Sequence, residues 1–299
     1  MILPAEGNIN DRIAIIGHPV YPGYVLKTSE KNVMIEAGMN FLGPSYLNAL
    51  TTVLGDSDNL DCLLVTHSHY DHMGAVPYLA RQIPGLETAG PERFNSLMQK
   101  DSVLSTMNHL SSRLKVYFKN IPANDGQEIQ ITKTKLKTIL REGDCFHLGD
   151  LSLEVFETPG HTRDHLSFFV PEMGILFPGE ALGNPAGNGR EVKVEFVSSY
   201  TDYIDSIEKL VALKPETIAM SHLYYYTADD AKVYLDTTYQ KTLAYKEIIE
   251  QYLNKGNGDV QSAISLMVKH EYDEKGTILM ERDAYIANVT GQVKAVASL

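Results

Sequence analysis

Three imidazoles and a carboxylate fall within six residues of this 299-residue chain, in Thr66-His67-Ser68-His69-Tyr70-Asp71-His72. The chain has only ten histidines, so the stretch concentrates a scarce residue type. Neutral imidazole and carboxylate are the ligands that zinc and other first-row divalent metals take. Side chains alternate along an extended segment, so His67 and His69 are expected to point to one side. Asp71 and His72 come where the chain begins to bend into a helix, and can face a second metal. A hydrogen-bonded polar turn is the bland alternative. Four crowded titratable groups without a metal would be costly to desolvate.

The cluster sits between a predicted strand and a predicted helix, a place where loops aim side chains from a rigid sheet. Residues 60–66 read as the strand. Residues 72–82 read as the helix, with Met73, Val76, Leu79 and Ala80 on one face. Upstream, residues 12–17, 24–27 and 32–36 are short strands broken by turn residues. Residues 91–119 read as amphipathic helix, with Leu104, Met107, Leu110, Leu114 and Phe118 at helical spacing. That stripe is read first as core-facing and second as the wall of an apolar groove. Strands return over residues 135–171, where 151–158 alternates as a half-buried strand should, and again over 174–177. Residues 183–189 look too rich in Gly and Asn to be regular. A helix over 203–213, with Asp202 as its N-cap, leads to a last strand at 217–220. Residues 228–299 read as helical throughout. Strands and helices twice over, then helices, predict an α/β sandwich over residues 1–227 with a helical C-terminal extension over 228–299 that packs on it and closes the pocket.

Composition narrows the function classes. The balance of 26 basic against 38 acidic residues gives a formal charge of −12. An acidic chain repels phosphate backbones, so no nucleic-acid partner is expected. No run approaches the roughly 20 apolar residues that span a bilayer, so no membrane partner is expected either. The N-terminus lacks the basic and apolar regions of a secretory signal, which makes the cytoplasm the default location. The two cysteines, Cys62 and Cys145, form neither a CxxC pair nor a zinc-finger spacing. Cys62 lies in an apolar run and reads as a core thiol.

The HxHxDH run at the end of an early strand resembles the metallo-β-lactamase superfamily. Other segments match that family's pattern in order. Thr158-Pro159-Gly160-His161-Thr162 resembles its second histidine motif, which implies that His161 completes a first metal site with His67 and His69. Met220-Ser221-His222 resembles its last, which implies that His222 joins Asp71 and His72 at a second. The family's bridging aspartate corresponds to Glu180, in Ile175-Leu176-Phe177-Pro178-Gly179-Glu180. A glutamate is one methylene longer; it can bridge both metals, bind one, or swing aside. A second departure is Glu36, in Val33-Met34-Ile35-Glu36-Ala37-Gly38, where the family commonly has Asp supporting the metal loop. The resemblance spans roughly residues 10–225.

Within the superfamily, His161-Thr162-Arg163-Asp164-His165, Gly179 to Gly183, Tyr200 with Tyr203, and the helical extension are similar to the acyl-CoA thioesterase-like branch that includes the quinolone-signal response protein. The resemblance implies cleavage of an ester or thioester by hydroxide held at a dinuclear site. Two divalent metals are expected, zinc first, with iron or manganese as alternatives because the ligand set has no cysteine. Asp71 is expected also to orient the nucleophile or pass a proton to the leaving group. The expected partner is a small-molecule ester or thioester, and a homodimer is left open.

His165 follows His161 by four and reads equally as a partner of a metal ligand or as a structural histidine. Tyr224 could donate to an oxyanion, and Arg163 could bind an acidic substrate group; packing and an exposed ion pair are the plainer readings. His18, His109, His147 and His270 have no motif context. Four other functions stay open. A lactonase or a glyoxalase-type hydrolase would use the same metals. A sulfur dioxygenase would use one iron. Flavodiiron proteins are disfavoured, because they generally have Glu at the position of His69 and carry a flavin domain that the helical tail cannot supply. A non-catalytic, metal-stabilised regulatory protein is kept open by Glu180.

Overall fold

A computed structural model of the chain describes residues 1–118, 129–276, 278 and 281–299. Residue 119 of the expected 91–119 helix, and residues 277, 279 and 280 of the expected helical tail, lie outside the described residues. The fold is mixed α/β, as the order of elements predicts, and the chain divides into two compact units. The first comprises Met1–Glu157, Asp164–Gly179 and Pro215–Ala231; the second comprises Thr158–Arg163, Glu180–Lys214 and Lys232–Leu299.

The first unit contains two seven-stranded sheets. One runs in the order Asn8–Asn10, Ile13–His18, Tyr21–Lys27, Asn32–Ile35, Cys62–Leu64, Glu87–Gly90, Thr138–Ile139. Its last four strands pair in parallel. The other runs Ile2–Pro4, Tyr224–Thr227, Thr217–Ala219, Ile175–Phe177, Leu166–Val170, Ser152–Glu157, Cys145–His147. The strand period sorts side chains between two cores. Ile13, Ile15, Tyr24, Leu26, Val33, Ile35 and Cys62 point into a core shared with Leu153, Val155, Phe168, Val170 and Phe177 of the other sheet. Their neighbours Ala14, Ile16, Val25, Met34 and Leu63 pack on the far face with Tyr46, Leu50, Val76, Leu79, Phe94, Leu104 and Met107. Burial on both faces is why these strands read as nearly continuous apolar runs.

The helix expected over 72–82 is two, Tyr70–Met73 and Val76–Gln82, separated by Gly74 and Ala75. The stripe expected over 91–119 lies on helix Asp101–Lys115, preceded by Glu92–Leu97. Leu104 and Met107 are in the core, which favours the core-facing reading of that stripe. Cys62 is buried, burial pushes its thiol up to about 12, and both cysteines are free.

In the second unit, residues 183–189 correct an expectation. Asn184–Ala186 is a strand, paired antiparallel with Glu191–Lys193 across a Gly- and Asn-rich turn. The glycines that argued against regularity supply the turn, and the strands flank it. Helix Tyr200–Ala212 starts earlier than expected. Its N-cap is Ser199, whose Oγ accepts from the Asp202 backbone N–H at 3.2 Å, so Asp202 lies inside the first turn. Helices Asp229–Lys255, Val260–Met267 and Arg282–Ala297 fill the tail, with a π-helical stretch at Val268–Glu274. Among the described residues no helix is long and apolar enough to cross a membrane.

Candidate metal centre

In the first unit, strand Cys62–Leu64 leads through a short bent loop, residues 65–69, into helix Tyr70–Met73. Three side chains converge here. Asp71, His72 and His222 each offer a ligand atom, all within 4.8 Å of one another. The His67 ring lies 4.7 Å from that of His69 and 4.2 Å from that of His72. His67 and His72 are buried, while His69 and Asp71 are half-buried. A group of this kind is dry on one side and reachable on the other.

One carboxylate organises the group. Glu36 is 3 % exposed. Its Oε1 accepts from Thr66 Oγ1 at 2.6 Å and from Ser221 Oγ at 3.2 Å, and its Oε2 lies 3.1 Å from His72 Nδ1. The Thr66 proton is thus given to Glu36, so Thr66 Oγ1, 3.0 Å from His67 Nδ1, accepts from that ring. His222 Nδ1 faces the Val20 carbonyl at 2.6 Å. In all three rings the Nδ1 proton is held by a protein acceptor, which places the Nε2 lone pair outward. That is the tautomer a metal needs, and holding it is the usual work of groups behind a ligating histidine.

The backbone is strained at two points beside these side chains. Glu36 has φ 69° and Leu223 has φ 64°. At Leu223 the turn is tight, with the Tyr224 N–H donating to the His222 carbonyl at 2.7 Å. Left-handed backbone at non-glycine residues costs about 1–2 kcal/mol each, and tends to persist where a site over-determines it. Tyr24, from the other sheet, donates its hydroxyl to the Met220 carbonyl at 2.5 Å and so anchors the same turn. Burial, with the Glu36 charge behind it, pushes the Tyr24 phenol well up, which keeps it a donor.

His165 is 1 % exposed and stacks on His67, with centroids 4.9 Å apart. It packs so closely under Gly179 that a Cβ there would lie 2.4 Å from His165 Nε2; Gly179 has φ +58°. Ser68, between the two histidines, donates to Asp164 Oδ2 at 2.5 Å. Tyr224 is half-buried in strand Tyr224–Thr227, opposite Pro4. Tyr225 and Tyr226 are buried in that strand.

In the second unit, His161 and Glu180 meet: His161 Nε2 is 2.6 Å from Glu180 Oε2. Both are buried. The other ring nitrogen of His161 lies 2.5 Å from the Glu195 carbonyl. Burial works against charge on His161, but Glu180 and then Glu195 outweigh it and raise its pKa. Gly160 permits the turn that precedes it, with φ +126° and no room for a Cβ, which would lie 2.4 Å from the Tyr203 backbone. Arg163 is exposed.

Known proteins fit this arrangement. A sequence profile of the metallo-beta-lactamase superfamily matches residues 22–222. The chain belongs to that superfamily. The superfamily match spans every residue of the histidine-rich loop as well as His161, Glu180 and His222. A hydroxyacylglutathione hydrolase of Aliivibrio fischeri is 31 % identical over 166 residues, 55 % of this chain and 48 % of that protein. The chain therefore spans about half the length of this relative. A metallo-beta-lactamase fold-containing protein of Sulfurisphaera tokodaii is 26 % identical over 67 % of this chain and 71 % of its own. Among solved structures, a metallo-beta-lactamase family protein of Thermus thermophilus has the same fold, with a TM-score of 0.62 at 16 % identity, covering 99 % of this chain and 91 % of its own.

Sequence reasoning singled out His67, His69, Asp71 and His72 by type and spacing, and His161, Glu180 and His222 through the family resemblance. It assigned no role to Thr66, Ser221, Asp164, Asn184 or Glu195. Serine and threonine next to a ligand are the one local signal, since their hydroxyls can relay a hydrogen bond. Asn184 and Glu195 carry none.

Proposed function

We propose that the chain is a metal-dependent hydrolase of a small-molecule thioester or ester, of the acyl-CoA thioesterase-like kind. The observation that carries this is the convergence of Asp71, His72 and His222, with the rings of His72, His222 and neighbouring His67 each locked at Nδ1 by a protein acceptor. The donor set fits a divalent metal: oxygen and imidazole ligands, no thiolate, and the outward tautomer already set. His67, His69, His161 and Glu180 are the proposed ligands of one ion, and Asp71, His72 and His222 of the other, with zinc the first candidate and iron or manganese the alternatives. Such metals supply Lewis acidity and a water acidified toward neutral pH.

The chain's own residues do the rest. Glu36 and the Val20 carbonyl keep the imidazoles in one orientation, so no reorganisation is needed when substrate arrives. Asp71 is half-exposed and stands 3.7 Å from His72 Nε2. It is proposed to take a proton from the attacking water and deliver it to the departing thiol or alcohol. Tyr224 and Arg163 are proposed substrate contacts. His165, stacked on His67, is proposed to fix that ring. The hydroxyacylglutathione hydrolase relatives favour a thioester over a lactone or a β-lactam.

The test is metal content after growth with each metal, followed by turnover of a panel of acyl thioesters, simple esters and lactones. Thioester cleavage lost on His69→Ala together with the metal is expected. A metal-loaded chain that cleaves none of the panel would overturn the reading and favour a non-catalytic role.

A further inference from the structure

The hairpin of the second unit carries polar side chains, Asn184 and the buried Glu195 beyond it, to which the proposed chemistry assigns no role. Asn184 Nδ2 donates to Glu180 Oε1, and lies 3.4 Å from Glu195 Oε1. Glu195 is 1 % exposed. Lys193 Nζ is 2.5 Å from its Oε1, and Asn288 Nδ2, from helix Arg282–Ala297, donates to its Oε2 at 3.4 Å. The backbone carbonyl of the same Glu195 holds His161 Nδ1, while His161 Nε2 faces the other oxygen of Glu180. One short segment, 193–195, therefore grips both His161 and, through Asn184, Glu180.

The direction of the Asn184 amide follows from its neighbours. Carboxylate oxygens only accept, so the amide nitrogen must face Glu180 and Glu195. Its Oδ1 is buried and has no hydrogen-bond partner among the described residues. Leaving a buried acceptor unsatisfied costs free energy. The amide is held in place by what its donors do.

We propose that Asn184 is a positioning residue that commits one oxygen of Glu180, so that Glu180 offers a single oxygen beside His161 to a bound metal. Glu195 supports it by steadying Asn184 and the His161 ring together. This rests on the reading of His161 and Glu180 as metal ligands. It chooses among the modes a glutamate could adopt here: a one-oxygen ligand whose second oxygen is taken by the protein.

The experiment uses the full chain, Asn184→Leu, which keeps the branched shape and removes the donor, and Asn184→Asp, which keeps the shape and reverses the polarity. Stepwise zinc affinities are read by competition with a coloured chelator, and the coordination of cobalt(II) by its visible absorption. Asn184→Leu is expected to weaken one of the stepwise zinc constants by on the order of 10–100-fold and to leave the other near wild type. Its cobalt bands should shift as the freed Glu180 oxygen changes the coordination number. Asn184→Asp should lose more, by repelling Glu180. A purely structural asparagine would lower thermal stability without moving the cobalt bands. Wild-type zinc constants and cobalt bands in either folded variant overturn this proposal alone. A wild-type chain that binds neither metal overturns the ligand reading and this proposal with it.

Discussion

Replacing Glu36 should separate its two jobs, holding the fold and setting the tautomer. Glu36→Ala removes the acceptor for Thr66, Ser221 and His72 at 2.6, 3.2 and 3.1 Å. Hydrogen bonds to a charged group contribute about 1.5–3 kcal/mol each, or roughly 4.5–9 kcal/mol gross for three. Against this stands the desolvation of the carboxylate, which amounts to several kcal/mol and is recovered when the group is removed. The net loss is about 3–5 kcal/mol, as for other broken buried charge networks. At about 2–4 °C per kcal/mol for a chain of this size, the metal-free Tm should fall by on the order of 10 °C. Glu36→Gln differs. Its oxygen can still accept from Thr66 and Ser221, but its amide N–H would meet the Nδ1–H of His72. His72 must then move its proton to Nε2, the atom proposed to bind metal. The fold should survive with a loss of about 1–2 kcal/mol, while affinity at the His72 site drops about 10–100-fold. Thermal melts of the metal-free proteins and zinc titration measure the two effects separately. A Glu36→Gln protein that binds zinc as tightly as wild type would refute the tautomer argument. A Glu36→Ala protein melting within about 2 °C of wild type would refute the stability argument. Glu36→Gly is the control for strain: at φ 69° it should be about 1–2 kcal/mol more stable than Glu36→Ala.

Four further outcomes are expected. Native protein treated with a thiol reagent at pH 8 should react at Cys145, which is exposed, and at Cys62 only after unfolding, because burial raises that thiol to about 12; rapid labelling of two thiols would contradict the buried position. Gly160→Ala should destabilise by on the order of 3 kcal/mol, since its Cβ meets Tyr203 backbone rather than a movable side-chain tip, and a denaturant midpoint near wild type would count against that contact. Hydrogen bonds from Arg12 and Ser29 hold Asp150 down at about 2, so its folded pKa is depressed; the stabilisation is full above about pH 4 and lost as pH falls through about 2. Asp150→Asn should accordingly flatten the acid limb of a pH–stability curve, and an unchanged limb would remove Asp150 from the account. Saturating zinc should raise the Tm and a chelator should reverse the rise, because an ion that binds only the folded chain stabilises it by mass action; a Tm indifferent to both would argue against a metal centre.

Much of the first unit was legible because its signals are local. Alternating burial is written into residues 151–158, and the histidine cluster declares itself by residue type. The strands that were missed lack such signals. Glu87–Gly90 is four residues, two of them Ala and Gly, and its strand state comes from parallel pairing with Cys62–Leu64. Tyr224 was read for its hydroxyl, yet pairing on both sides makes Tyr224–Thr227 a strand. The Glu36 hub was beyond reach for another reason. Its partners stand 30, 36 and 185 positions away, and no periodicity carries over such distances. Glu180 was identifiable as a departure, but the amide that grips it lies in a segment whose glycines hid a hairpin.

The first unit is interrupted twice in the sequence, by Thr158–Arg163 and by Glu180–Lys214, and is completed only by Pro215–Ala231. Synthesis proceeds from the N-terminus at about 5–20 residues per second. The loop carrying His67 to His72 thus leaves the ribosome at least several seconds before His222, and during that interval Ser221 is not there to bond Glu36. The Asp71–His72–His222 group cannot close until residue 222 has been made. A metal captured at that group would therefore report that the chain has been read past residue 222 and folded back on the loop that holds Asp71 and His72.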